Sequence, residues 1–182
     1  MGNEPYDFCF AGSGGQGMIL TSIIFAEAAL LSGRKAVQSQ VYGPEARGGS
    51  CRGETVISGG DIWYSKPSHP NFLLALSQPA LDQYAGQVQS GGVILYDAEL
   101  TPPAVNLGVR LVKLPVLSIA REEIKNPLTT NIVAAGAINA LLNLFSAPVM
   151  EEAVRRHVPA RMEQLNLRAL EAGRRMALQA AA

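Results

Sequence analysis

Six residues, Gly12-Ser13-Gly14-Gly15-Gln16-Gly17, follow an apolar run at residues 6–11 and lead into Met18-Ile19-Leu20. A strand-like segment that ends in clustered glycines and continues as a helix makes a turn whose backbone takes positive φ and comes close to a ligand or another chain. The first N–H groups of such a helix lack intrahelical acceptors and lie at the positive end of its dipole. The turn therefore suits a phosphate, a carboxylate or a close backbone contact. Gly12, Gly14 and Gly17 also fit G-x-G-x-x-G, the dinucleotide spacing. That pattern wants an acid about 20 positions further on, at the end of the second strand, to hold a ribose hydroxyl. Here the second run, residues 35–40, ends in Gln38-Ser39-Gln40, while Glu27 falls inside the first helix and Glu45 beyond the strand. Two readings of the turn stand beside the phosphate one: independent NAD or FAD binding, and tight helix–strand packing with no ligand.

A second cluster, residues 42–49, sets Pro44, Glu45 and Arg47 between Gly43 and Gly48-Gly49. So many turn formers with one acid and one base mark a fixed loop. Arg47 can grip a carboxylate or phosphate through two N–H groups, or brace Glu45 or Glu54 as an ion pair that shapes the loop. Other chemistry is sparse. Cys9 and Cys51 are the only cysteines and His69 and His157 the only histidines. Two cysteines do not ligate a four-cysteine iron–sulfur cluster, and histidines so far apart indicate no metal site. Cys9, inside the first strand, reads as a small buried apolar residue. No nucleophile–base pair stands out.

The elements that must position these clusters read as one α/β domain. At 182 residues, with 48% hydrophobic and 16% charged, the chain is apolar for one domain and able to bury a sizeable core. Fifteen basic residues balance fifteen acidic ones, which gives no electrostatic reason to expect nucleic acid. Low charge suggests apolar surface covered by other chains. The first apolar run is short and follows Asn3, Glu4 and Pro5, so a signal peptide is not expected. Residues 131–145 are shorter than a membrane span and include Asn139 and Asn143. A cytoplasmic location follows.

Residues 6–11 are apolar except for Asp7, which predicts a central strand buried on both faces. A helix over residues 17–31 stops at Gly33, and residues 35–40 form a second strand. Residues 52–58 and 61–65, split by Gly59-Gly60, predict a hairpin and hence a mixed sheet. Strands follow at 72–76, 92–97 and 110–114, with short helices at 79–88 and 117–125. Thr129 or Thr130 caps a helix to residue 145, and helices at 150–157 and 160–180 complete the chain. The 131–145 helix, rich in small residues (Ala134, Ala135, Gly136, Ala137, Ala140), is expected in the core or under a partner. Both glycine clusters are expected at one edge of the sheet, beside a poorly charged surface.

Taken in order, the two motifs, Gly12-Ser13-Gly14-Gly15-Gln16-Gly17 and Tyr42-Gly43-Pro44-Glu45-Ala46-Arg47-Gly48-Gly49, resemble the gamma subunit of 2-oxoacid:ferredoxin oxidoreductases. The spacing between them fits, as do Thr129-Thr130-Asn131 and Gly136, so the resemblance covers nearly the whole chain. It implies a three-layer α/β fold with a mixed, mostly parallel sheet and a helical C-terminal end, residues 1–182 forming one gamma-type domain like domain III of pyruvate:ferredoxin oxidoreductase. It implies a non-catalytic subunit, inactive alone, that supports oxidative decarboxylation of a 2-oxoacid to acyl-CoA with electrons passed to ferredoxin.

By the same resemblance, the partners are alpha and beta subunits, and a delta subunit in some enzymes, with ferredoxin reached indirectly. Thiamine diphosphate, magnesium and iron–sulfur clusters belong to those subunits, and coenzyme A meets this chain at the interface. The residues carried over are Gly12, Ser13, Gly14, Gly15, Gln16 and Gly17, then Tyr42, Gly43, Glu45, Arg47, Gly48 and Gly49, and Asn131, whose other reading is a cap or packing role. No catalytic residue transfers. The substrate stays open among pyruvate, 2-oxoglutarate, branched-chain oxoacids and indolepyruvate, with 2-oxoglutarate favoured by overall resemblance. Homo-oligomers of the isolated chain are expected. The rival class is a self-sufficient nucleotide-binding oxidoreductase of Rossmann type, and a third reading is a pure scaffold.

Overall fold

The computed structural model describes residues 3–42, 50–104 and 108–181. Strand β1 (Tyr6–Ser13) is buried on both faces, as its composition requires. Alternate side chains of a strand point to opposite faces. Phe8 and Phe10 therefore meet Phe25 of helix α1 (Met18–Leu31), with ring centroids 5.4 and 5.2 Å away, while Cys9 and Ala11 join a smaller cluster on the other face. Helix α1 stops where Gly33 takes φ +71° and Arg34 N–H reaches back to Ala29 O at 2.9 Å.

The next strands are β2 (Lys35–Tyr42) and β3 (Ser50–Ser58). Then come β4 (Phe72–Ala75), α2 (Gln78–Tyr84), β5 (Val93–Asp97) and β6 (Arg110–Leu114). The six strands lie in the order β2-β3-β1-β4-β5-β6. Strand β3 runs antiparallel to both neighbours, and the pairs β1–β4, β4–β5 and β5–β6 are parallel. The sheet is thus mixed, with β1 central.

The expected hairpin at Gly59-Gly60 is not formed. Both edges of β3 are taken, one by β1 and the other by β2, so no edge is left for residues 61–65, which are not strand. They fold back instead. Tyr64 donates its hydroxyl to Asp7 at 2.9 Å, and Lys35 pairs with Asp61. The antiparallel pairing forms one strand earlier, between β2 and β3.

Helices α4 (Thr130–Leu142), α5 (Ala147–His157) and α6 (Glu163–Ala181) pack with α1 into the larger core, and α2 packs on the opposite face. The short helix α3 (Val116–Ser118) runs into a wider π turn, Ile119–Glu123, where one helix was expected. Helix α4 is buried in the core, and it crosses α6 closely at Gly136 and Gly173. A Cβ on Gly136 would overlap the Leu170 carbonyl, and one on Gly173 the Val133 carbonyl. Thr129 precedes α4 without a side-chain cap. Its hydroxyl bonds Asn126 O, and it is Asn126 that caps the preceding turn by accepting from Leu128 N–H.

Candidate functional site

The 12–17 turn connects β1 to α1 at the C-terminal edge of the parallel strands. Pairing of Ser13 with Ser50 and of Tyr42 with Cys51 brings the end of β1 beside both anchors of the second glycine cluster. The expected juxtaposition of the two clusters holds for those anchors. Gly43, Glu45, Arg47, Gly48 and Gly49 lie outside the described residues.

Within the first turn the residues divide by direction. Gly14 and Gly15 are exposed, Gly15 at φ +93° with nothing within 4 Å of where a Cβ would stand. The Gln16 side chain turns inward. Its Oε1 accepts from Ser13 N–H at 2.7 Å and its Nε2 donates to Leu76 O at 3.0 Å, across the sheet edge on the chain leading from β4 to α2. A Cβ on Gly12 would overlap that Oε1. Gly17, at φ +73°, precedes α1, and a Cβ there would stand 2.7 Å from Asn131 Cγ. Asn131 is buried against this glycine, its Nδ2 3.5 Å from Gly17 O. Of the turn's residues, Gly14 and Gly15 face outward, and Gln16 and Asn131 serve the turn itself. The Gln16–Leu76 link was missed from sequence, because a side-chain bond to a carbonyl 60 residues away leaves no local signal.

Helix N-terminal N–H groups beside exposed glycines can take an anionic oxygen. A dinucleotide reading fails on topology. The acid that holds a ribose sits on the strand next to the first one, whereas here antiparallel β3 separates β2 from β1. The interposed strand moves the end of β2 about 10 Å from β1.

Beneath the edge, on the face that carries α2, lies a buried charge cluster. Glu54 is 1% exposed and pairs with Arg52 at 3.0 Å, and it accepts from the Ser39 hydroxyl at 2.9 Å. The Arg52 guanidinium stands 5.0 Å from the Tyr84 ring centre. Among the described residues, the base that braces Glu54 is therefore Arg52, a partner the sequence reading had not considered. Burial pushes the Cys9 thiol up to about 12, with Arg52 opposing and Glu54 adding to the shift. Burial also raises Asp7, against the Tyr64 hydrogen bond and with the help of Glu54. It raises Cys51, although the Ile19 amide lowers it. Cys9 and Cys51 pack into clusters on opposite faces of the sheet, so they do not share a ligand. Among the described residues no group of three His, Cys, Asp or Glu side chains is placed to hold a metal ion, and no helix is long and apolar enough to cross a membrane.

Among the described residues the two most exposed large apolar side chains are Leu128 and Trp63. Leu128, 76% exposed, stands on the turn leading into α4 and Asn131. Trp63, 88% exposed, stands with Leu30 and Val37 in a groove of about 510 Å³ at the start of β2, the end away from the glycine turn.

These features define an α/β unit with an antiparallel strand inserted beside its first strand and a braced glycine turn at one sheet edge. Residues 7–176 match the pyruvate ferredoxin/flavodoxin oxidoreductase family, and the chain belongs to it, as a gamma-type subunit of a multi-subunit 2-oxoacid:ferredoxin oxidoreductase. The 2-oxoglutarate synthase subunit KorC of Methanocaldococcus jannaschii is 43% identical over 166 residues, 90% of this chain and 89% of the relative. The keto/oxoacid ferredoxin oxidoreductase gamma subunit of Geobacter sulfurreducens PCA superposes with a TM-score of 0.86 at 37% identity, covering 97% of this chain and 98% of that one. The 2-oxoglutarate:ferredoxin oxidoreductase of Magnetococcus marinus, solved with 2-oxoglutarate, coenzyme A and succinyl-CoA bound, shares the fold. Its TM-score is 0.87 at 22% identity, over 97% of this chain and 31% of that one.

Proposed function

We propose that the subunit serves a 2-oxoglutarate:ferredoxin oxidoreductase, in which 2-oxoglutarate is oxidatively decarboxylated to succinyl-CoA and the electrons pass to ferredoxin. What carries this reading is the near full-length match to a 2-oxoglutarate synthase subunit at 43% identity. Alpha and beta subunits, with a delta subunit where the enzyme has one, hold thiamine diphosphate, magnesium and the iron–sulfur clusters. The present chain contributes the coenzyme A side of the interface. Gly14 and Gly15 offer backbone N–H groups to a phosphate of that ligand, Ser13 anchors the turn by donating its own N–H to Gln16, and the start of α1 adds its dipole. The second cluster, Gly43, Glu45, Arg47, Gly48 and Gly49 after Tyr42, completes the seat. Gln16, Gly12, Gly17 and Asn131 shape it without facing it. In the assembled enzyme coenzyme A supplies the thiol that takes up the acyl group.

Reconstitution tests the reading. Co-expressed subunits should reduce ferredoxin when given 2-oxoglutarate and coenzyme A, and the isolated chain should show no turnover. Turnover with pyruvate but not 2-oxoglutarate would move the substrate assignment. Micromolar binding of NAD(H), NADP(H) or FAD to the isolated chain would revive the nucleotide reading.

A further inference from the structure

The glycine spacing Gly12-x-Gly14-x-x-Gly17 matches a nucleotide pattern, yet two of its glycines are occupied from within. Gly12 leaves room for the Gln16 amide, and Gly17 leaves room for Asn131. The Gln16 amide uses both of its ends. One end closes the turn on its own backbone at Ser13, and the other fastens it to the Leu76 carbonyl, where β4 runs toward α2. Leu76 N–H in turn bonds Ala11 O at 3.1 Å. The end of β1, the glycine turn and the start of the β4–α2 connection thus form one hydrogen-bonded frame. A glycine-rich turn without such ties samples many backbone states and must lose them when it binds.

We infer that Gln16 is a positioning residue: it fixes the turn against the β4–α2 connection and so holds the Gly14–Gly15 backbone ready for the anionic part of the ligand. The inference rests on the proposed seating of coenzyme A at this turn. A methionine at position 16 keeps the length of the side chain and loses both bonds. A glutamate keeps the bond from Ser13 N–H and sets an acceptor against the Leu76 carbonyl.

The test is calorimetric titration of the assembled enzyme with coenzyme A, alongside the KM for the 2-oxoacid, in Gln16→Met, Gln16→Glu and Gly15→Asp. Gly15→Asp sets a carboxylate in the open space above the turn. Gln16→Met should raise the Kd for coenzyme A about tenfold while leaving the KM for the 2-oxoacid unchanged, and Gln16→Glu should shift it in the same direction. A role confined to folding would change the melting temperature without this split. If both Gln16 variants bind coenzyme A normally while Gly15→Asp does not, the positioning role is overturned and the seat stands. If Gly15→Asp also binds normally, the seat itself is wrong. Failure of both Gln16 variants to assemble would make Gln16 a folding residue and overturn the inference as well.

Discussion

Glycine does opposite work in two regions of this molecule. At the α4–α6 crossing, Gly136 and Gly173 let two helix backbones touch. Each glycine sits against a carbonyl of the opposing helix, so that helix's backbone occupies the space of the missing side chain. In the 12–17 turn the space left by Gly12 and Gly17 is filled by the turn's own Gln16 and by Asn131, and Gly15 faces nothing. A cluster of glycines is therefore not one signal. Packing glycines reveal where backbone must approach backbone, and only those left open mark where a ligand has room.

The helix crossing carries the largest expected effect. Ala at position 173 or 136 places a methyl inside a carbonyl's van der Waals shell, and rigid backbone has no rotamer with which to yield. Each variant should lose about 3 kcal/mol in denaturant unfolding, and the pair together should not add, because either one already forces the helices apart. If Gly173→Ala melts with the parent protein, the crossing is looser than described and the contrast collapses.

The turn should give smaller numbers that differ among its glycines. Gly17→Ala combines a left-handed backbone with a clash against Asn131 and should cost about 2 kcal/mol. Gly15→Ala meets no atom and should cost about 1 kcal/mol, from its positive φ alone. Equal costs at the two positions would show that the turn is not divided between packed and open glycines.

The strand that carries the turn was legible in the chain, and the division among the turn's glycines was not. The run Phe8-Cys9-Phe10-Ala11 had to be a central strand, because a strand apolar at successive positions needs cover on both faces, and the structure covers both. Gly136 stood out among the alanines of its helix. Its counterpart did not, although Ala169, Gly173 and Ala177 recur every fourth residue on α6, the spacing of a small-residue stripe on one helix face. The hairpin was misplaced because turn residues at Gly59-Gly60 report that the chain bends, not which strand edge is free. That β3 enters between β2 and β1 is a tertiary choice with no local pattern behind it. Gln16 was singled out with the turn as a residue for the ligand, but its inward direction depends on Leu76, a residue no spacing rule connects to it.

The far end of β1 supplies the smallest effect and a control for the turn. Burial raises the Asp7 pKa above its ordinary value, so the native protein keeps a proton that the unfolded chain has already released. This group's contribution to stability is complete below the unfolded value of about 4 and is lost as pH rises through the folded value. Asp7→Asn should therefore be more stable than the parent at pH 7, with the gain disappearing below about pH 4, and coenzyme A affinity of the assembled enzyme should not change. A shift in that affinity would mean that the two ends of β1 are coupled.

The contrast between open and packed glycines is tested most directly by hydrogen–deuterium exchange on the assembled enzyme, with and without saturating coenzyme A. Peptides covering residues 12–20 should gain protection when the ligand is present, and peptides covering residues 168–178 should exchange slowly and equally in both states. Unchanged exchange across residues 12–20 at saturation would contradict the account.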